Sequence, residues 1–267
     1  MRHVFISSIY GDYMTSNNNI HLFYETATPT VTVMGLGYVG LTMSIVMAEH
    51  GMKVNGIEIN EDILQKLENK QPTFYETEIH LRLTAALTST TSRAPLVVSK
   101  HIKEPSDVWI ITVGSPLYDG EEKPNLIVVE KVTEEISKFL KQGDIIIARS
   151  TVPVGITRAL ITKILEQNTG LLAGKDFSLV FAPERTVEGS ALTEIKTLPQ
   201  IIGGINKESV EKAKAFFGLF VDQCIEVESL EAAELLKLMG NAYRDFHFSF
   251  ANQMSIIATK MGINLPS

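Results

Sequence analysis

The chain has 267 residues, 45% of them hydrophobic, and a net charge of -7. That length holds one large domain, or one domain and part of another. The acidic balance argues against nucleic acid or an anionic membrane as the main partner, although local donors can still hold an anionic small molecule.

The single cysteine, Cys224, excludes an internal disulfide framework and points to a reducing compartment. No apolar run approaches the ~18 residues of a membrane span. The amino terminus lacks the continuous apolar core of a signal peptide. A cytoplasmic protein without a metal site is expected.

In chain order, residues 1–29 read as an appendage. "TSNNNIH" is polar, and the short apolar runs around it show no sustained period. A mobile segment is expected, with an added edge strand as the alternative. From residue 30 the pattern becomes regular. "TVTVMG" and "KVNGIEI" flank the amphipathic "YVGLTMSIVMAEHG", which is a β-α-β unit. "APLVVS", "SDVWIITVGSP", "GDIIIARSTVP", "FSLVFAPER" and "PQIIGGI" follow as nearly continuous apolar runs, the mark of strands covered on both faces. Helical stretches such as "LIVVEKVTEEISKFLK" and "ITRALITKILEQ" separate several of them. The spacing predicts a doubly wound, Rossmann-like α/β domain over 30–228, with a mostly parallel sheet.

After "NKESVEKAKAFFGLF" and a last strand, "CIEV", the character changes. From Ser229 to about Met261 there is no proline, and apolar residues fall on most faces. One helix of about thirty residues is expected, opening a further domain over 229–267. So apolar a helix must be covered on several sides. Within it, Lys237 and Asn241 stack four residues apart on one face, where neither belongs without a partner. Pairing of Lys237 with Glu234 or Glu231 on a solvated face is the competing reading. Gly240 weakens the helix by about 1 kcal/mol against alanine, which suits close approach of a neighbour.

"VTVMGLGYVGLTMSI" carries Gly35-x-Gly37-x-x-Gly40 between a strand and a helix. The first glycine allows the turn, the second lets backbone approach a pyrophosphate, and the third lets helix and strand pack closely. Unpaired helix N–H groups then face the phosphates. Glu58, at the end of the second strand, is placed to accept both ribose hydroxyls of an adenosine, favouring NAD over a 2′-phosphorylated cofactor. An ordinary solvated strand-end acid is the plainer alternative.

Ligands in open α/β sheets bind beyond the carboxyl ends of the strands. Three of those ends run into Gly114-Ser115-Pro116, Ser150-Thr151-Val152-Pro153 and Ala182-Pro183-Glu184-Arg185. Taken singly, Ser115 and Ser150 fit helix caps and Glu184-Arg185 a surface ion pair. Together they converge on the rim that carries the glycine turn.

"MGLGYVG", "VGSPL", "STVPVG", "APERTVEG" and "ELLKLMGNAYRD" resemble, in order and spacing, the nucleotide-sugar 6-dehydrogenases, which act on UDP-glucose, GDP-mannose and UDP-N-acetylhexosamines. The resemblance covers 30–267, and "APERTVEGSAL", "LPQIIGG" and "NAYRDFHFSFANQ" are most similar to the UDP-N-acetylmannosamine and N-acetylglucosamine branch. It implies oxidation of a sugar C6 alcohol to a carboxylate with reduction of two NAD, by a homodimer built on the long helix. It implies a cofactor site of Gly35, Leu36, Gly37, Tyr38, Val39, Gly40, Glu58, Val113, Gly114, Ser115, Thr151 and Glu188. Ser115 stands where the family usually has threonine.

Thr151 also matches a residue that contacts a catalytic water. Glu184 matches the carboxylate of thioester hydrolysis, and Glu188 an acid near nicotinamide and substrate. Lys237 and Asn241 match the pair that steadies negative charge at the reacting carbon, an oxyanion site whose value rises when water is excluded. Glu184, Arg185, Lys237, Asn241 and Arg244 are the implied substrate contacts.

The family also needs a nucleophilic cysteine in a "GGSC"-like segment beyond the lysine-asparagine pair. No such segment occurs, and Cys224, in the "CIEV" strand, reads as a buried structural thiol. The chain therefore reads as the amino-terminal half of such an enzyme, inactive alone. A non-enzymatic NAD-binding or dimerisation module and a β-hydroxyacid dehydrogenase are the alternatives.

Overall fold

The computed structural model describes residues 28–88 and 96–263. The appendage expected over 1–29 lies, apart from its last two residues, outside them. The first half runs β1 (Thr30–Met34), α1 (Tyr38–Glu49), β2 (Lys53–Ile57), α2 (Glu61–Glu68), α3 (Ile79–Thr88), β3 (Leu96–Ser99), β4 (Val108–Ile111) and α4 (Ile127–Ser137). After β5 (Ile145–Ala148), a π-helical stretch over Thr157–Thr162 continues into α5 (Lys163–Thr169). Then come β6 (Ser178–Phe181), α6 (Ala191–Thr197), β7 (Gln200–Gly204), α7 (Lys207–Phe217), β8 (Cys224–Val227) and α8 (Leu230–Lys260).

The strands form one sheet in the order β3-β2-β1-β4-β5-β6-β7-β8. Neighbours are parallel except at β6-β7, so β7 and β8 run against the rest. The apolar runs explain why the middle strands lie inside: every residue of "VWII", "IIIA" and "SLVF" is buried. Alternate residues feed opposite faces, as the period of two requires. Val108 and Ile110 join Leu41, Leu83 and Phe216 under α1, α3 and α7, while Trp109 and Ile111 join Val129 and Leu165 under α4 and α5. This is a doubly wound, Rossmann-like sheet, and the order turns back between β1 and β4, where such folds open a crevice.

The α8 helix begins at Ser229, whose hydroxyl accepts the Ala232 N–H at 3.1 Å. Its first turns pack on β6 and β7 through the buried Leu230 and Ala233, while the buried Glu234 turns to Gly155 and Thr157 at the start of the π-helical stretch. Beyond Asn241 nearly every described residue of the helix is exposed. The expected cover on several sides is thus not supplied by the described residues. Gly240 faces open space among the described residues, without the close neighbour expected there.

Candidate cofactor and active site

The three glycines of the β1-α1 turn do different things. Gly35 sits at φ 95°, a conformation that side chains rarely adopt. A Cβ on Gly40 would lie 1.9 Å from the Gly35 carbonyl oxygen, so this glycine is required for the helix to pack against the turn. Gly37 is exposed, and a Cβ there would meet nothing within 4 Å. The protein itself does not require that glycine. Gly37 is also the N-cap of α1 and has no side chain to satisfy the first-turn N–H groups, which leaves them to an anion.

Leu36 turns inward: its side chain is buried, and its N–H donates to Glu58 Oε2 at 2.9 Å. Glu58 Oε1 accepts the Asn60 N–H at 2.9 Å. Glu58 is therefore a backbone-anchored carboxylate rather than a freely solvated acid. Two of its roughly four acceptor positions are committed, and two are left for vicinal hydroxyls. Val39 and Tyr38 are half-buried on the first turn of α1. Open N–H donors beside Gly37 and uncommitted acceptor positions on Glu58 are groups that could hold a dinucleotide's phosphates and a ribose.

Hydroxyls stitch the adjoining strand ends together instead of capping helices. Thr112 Oγ1 donates to the Met34 and Gly35 carbonyls at 3.0 and 2.9 Å, and Ser150 Oγ donates to the Val113 carbonyl at 2.6 Å. Ser115 donates to the Thr151 carbonyl, leaving the Thr151 side chain exposed on the rim beside Gly114. The glycine turn and the ends of β4 and β5 thus form one floor. Thr112 was not picked out in the sequence, although a threonine closing an apolar strand beside a glycine turn is a signal of this kind.

At the end of β6, Glu184 is 7% exposed and is not a surface partner of Arg185. Its Oε2 accepts from the buried Arg149 guanidinium, and its Oε1 accepts the N–H groups of Arg185 and Thr186 at 2.7 Å each. Arg149 also donates to the Ala182 carbonyl at 2.9 Å and to Gln200 Oε1 at 2.7 Å. Burial pushes the Glu184 carboxyl up, but the Arg149 charge and the Thr186 N–H outweigh it and hold the group below the ordinary carboxylate range. Arg185 itself points out to solvent. Glu188 is exposed on the loop that follows.

Lys237 does not pair with Glu234 or Glu231. Glu234 is fully buried and accepts the Gly155 and Thr157 N–H groups at 2.5 and 2.8 Å, while Glu231 takes Arg158. Lys237 Nζ instead donates to the backbone carbonyl of Glu184 at 2.6 Å. Burial lowers its pKa, the Glu184 charge opposes the shift, and Arg244, Arg149 and Arg185 add to it. Asn241 follows one turn later on the same face and accepts from Arg244 at 3.3 Å, so Lys237 alone of the pair contacts the Glu184 strand end. Glu234 locks that geometry by capping the helical segment that follows the Thr151 loop. Arg149 and Gln200 were not among the residues singled out from sequence, and Glu234 entered there only as a partner for Lys237.

The sequence matches the UDP-glucose/GDP-mannose dehydrogenase family, NAD binding domain, over residues 29–221, and that family's central domain over 231–267. It is 35% identical to a UDP-N-acetyl-D-mannosamine dehydrogenase of Methanocaldococcus jannaschii, with 88% of this chain and 53% of the relative covered. It is 31% identical to an NDP-N-acetyl-D-galactosaminuronic acid dehydrogenase of Ralstonia solanacearum, covering 88% and 56%. The fold superposes on a solved UDP-N-acetyl-mannosamine dehydrogenase of Staphylococcus aureus with a TM-score of 0.77 and 35% identity, over 88% of this chain and 56% of that one. The chain spans about half the length of the curated relatives it matches. With the glycine cradle and both matched regions in place, the chain belongs to the UDP-glucose/GDP-mannose dehydrogenase family and carries its NAD-binding domain.

Proposed function

We propose that this chain supplies the NAD site and part of the substrate-facing machinery for oxidation of a UDP-sugar at C6, the sugar being an N-acetylhexosamine. Residues 30–228 form the cofactor domain, and 229–267 contribute the helix that opens the next one. The observation that carries the reading is the meeting of Lys237 with the Glu184 carbonyl at the rim that also holds Gly37, Ser115 and Thr151. NAD, when bound, supplies the hydride acceptor. The residues around it then have distinct work. Glu58 accepts the ribose hydroxyls, and Gly37 gives the pyrophosphate room. Ser115 and Thr151 border the nicotinamide end, with Glu188 across from them.

Lys237 and Asn241 donate toward the oxygen at the reacting carbon, where a fixed cation and amide stabilise developing negative charge. Lys237 is suited to this because its anchor is a carbonyl dipole, not a carboxylate that would neutralise it. Arg185 and Arg244 face outward as contacts for the nucleotide-sugar's phosphates. Glu184, already holding Arg149 and two N–H groups, serves as an ionised acceptor at neutral pH.

The same reading makes the 267-residue polypeptide a cofactor binder without complete turnover. Its single cysteine begins the edge strand β8, and burial pushes that thiol up to about 11, so little thiolate exists at neutral pH. We place the protein in the cytoplasm; no helix among the described residues is long and apolar enough to cross a membrane. We also propose a homodimer through α8, whose exposed Met239, Tyr243, Phe246, Phe250 and Met254 form an apolar surface.

Incubation of this polypeptide with NAD and a UDP-N-acetylhexosamine is expected to give no sustained NADH fluorescence, and light scattering is expected to give twice the chain mass. Continued formation of two NADH per sugar would overturn the first expectation, and a monomer the second.

A further inference from the structure

Glu76 lies in the segment between α2 and α3, far in sequence from the β6-α6 loop, yet it holds that loop. Its carboxylate is 3% exposed. Oε2 accepts the Tyr38 hydroxyl at 2.7 Å and the Gly189 N–H at 2.8 Å. The neighbouring Thr77 hydroxyl donates to the Gly189 carbonyl at 2.9 Å, so both backbone groups of Gly189 are gripped from one segment. Gly189 sits at φ 93°, where a side chain is strained, so the bend it makes is specific. Two residues earlier, the Val187 N–H donates to Glu194 at 2.8 Å, and the Val187 carbonyl lies 3.1 Å from the Tyr38 hydroxyl. Glu188 is therefore exposed between two pinned neighbours.

Tyr38 is the first helical residue after the glycine turn, and its ring packs on Phe74 at 4.9 Å between centroids. Resting on the reading of the turn as an NAD site, we propose that Glu76 is a positioning residue: its carboxylate joins the glycine turn to the Gly189 bend and so fixes Glu188 against the bound cofactor. Two features separate this from an ordinary tertiary contact. A carboxylate is costly to bury, and the second oxygen, Oε1, has no protein partner among the described residues. The hydrogen-bonded path is also short: one carboxylate oxygen receives both the turn's tyrosine and the loop's backbone. Burial, followed by the Glu76 hydrogen bond and charge, raises the Tyr38 pKa, so its hydroxyl stays a donor across the neutral range. Coupling between two sites is reciprocal, so if NAD settles the loop through this contact, loosening the loop weakens NAD by the same factor.

The test is amide hydrogen exchange across residues 184–190, with and without NAD, paired with NAD calorimetry, on the wild type, Glu76→Ala and Glu76→Gln. In the wild type, NAD is expected to slow exchange in this loop about fivefold or more. Glu76→Ala is expected to abolish that NAD-dependent protection and to weaken NAD by a similar factor. Glu76→Gln keeps an acceptor oxygen and is expected to retain most of both. A merely structural Glu76 would lower the Tm of the alanine variant yet leave the NAD-dependent protection at its wild-type size, and that result overturns the proposal. Saturable NAD binding that leaves the wild-type loop unchanged overturns it too, with the cofactor site standing. Absence of NAD binding in the wild type removes both together.

Discussion

Arg149→Met is expected to destabilise the folded chain by about 3–5 kcal/mol, the cost of leaving a buried carboxylate without its partner. For a domain of this size, that is a fall in Tm of roughly 6–20 °C. The substitution keeps apolar bulk near Phe217, whose ring centroid lies 5.9 Å from the guanidinium, but removes the cation from Glu184 and the donors from Gln200 and the Ala182 carbonyl. Adding Glu184→Gln to Arg149→Met is expected to recover part of the loss, because the uncompensated charge disappears.

The pH dependence follows from the lowered Glu184 pKa. A carboxyl held below its unfolded value contributes stability that is fully present above the unfolded pKa, near 4.3. That contribution is lost as pH falls through the folded value. The gap between wild type and Arg149→Met is therefore widest at neutral pH and narrows in acid. Thermal melts from pH 7 to pH 3, of both proteins, check this. A gap that stays constant across the range would mean that Glu184 charge is not what Arg149 stabilises.

Gly37→Ala and Gly40→Ala are expected to fail in opposite ways. At Gly40 the new Cβ falls 1.9 Å from the Gly35 carbonyl and 2.7 Å from Thr112 Oγ1, so the turn or the whole of α1 must shift. A loss of several kcal/mol is expected, as in severe overpacking of a core. At Gly37 the Cβ enters open space at an ordinary φ of -66°, and the stability cost is at most about 1 kcal/mol, that of a poorer N-cap. Yet Gly37→Ala is expected to weaken NAD at least about tenfold, or 1.4 kcal/mol, because the methyl group occupies the path of the pyrophosphate. Melting curves and NAD titration of both variants check the contrast. Unchanged NAD affinity in a well-folded Gly37→Ala would put the cofactor elsewhere.

Short β-branched runs located β1 and β2, nearly continuous apolar runs located β3 to β7, and "CIEV" marked β8, while the glycine spacing located the turn, because each signal is local to a few residues. The long α8 helix was equally legible from its unbroken apolar pattern. What sequence could not supply was pairing across distance. Arg149 and Glu184 follow β5 and β6, and they meet because Ala148 is paired with Phe181 in the sheet. Nothing local to "DIIIAR" names that partner, although an arginine directly after four buried residues has few ways to be satisfied. The same limit left a competing partner open for Lys237: Glu234 and Glu231 are its neighbours along the helix, but the tertiary demands of Gly155, Thr157 and Arg158 claim them first.

The reversal at β7 was illegible for a related reason, since a short buried strand reads the same in either direction. Helices α2, α3 and α6 are short, and their patterns were not separated from the connecting segments. The Glu76 contact needs two loops to be placed together before it exists at all.

Calorimetric titration of the wild type and Glu58→Ala with NAD tests most directly whether the glycine turn and Glu58 form a working NAD site. Saturable binding of one NAD per chain is predicted, weakened at least about tenfold in Glu58→Ala, a loss of 1.4 kcal/mol. NADP is expected to bind more weakly than NAD to the wild type, because its 2′-phosphate would meet the Glu58 carboxylate. A wild type that takes up no NAD, or binding indifferent to Glu58→Ala, would contradict the account.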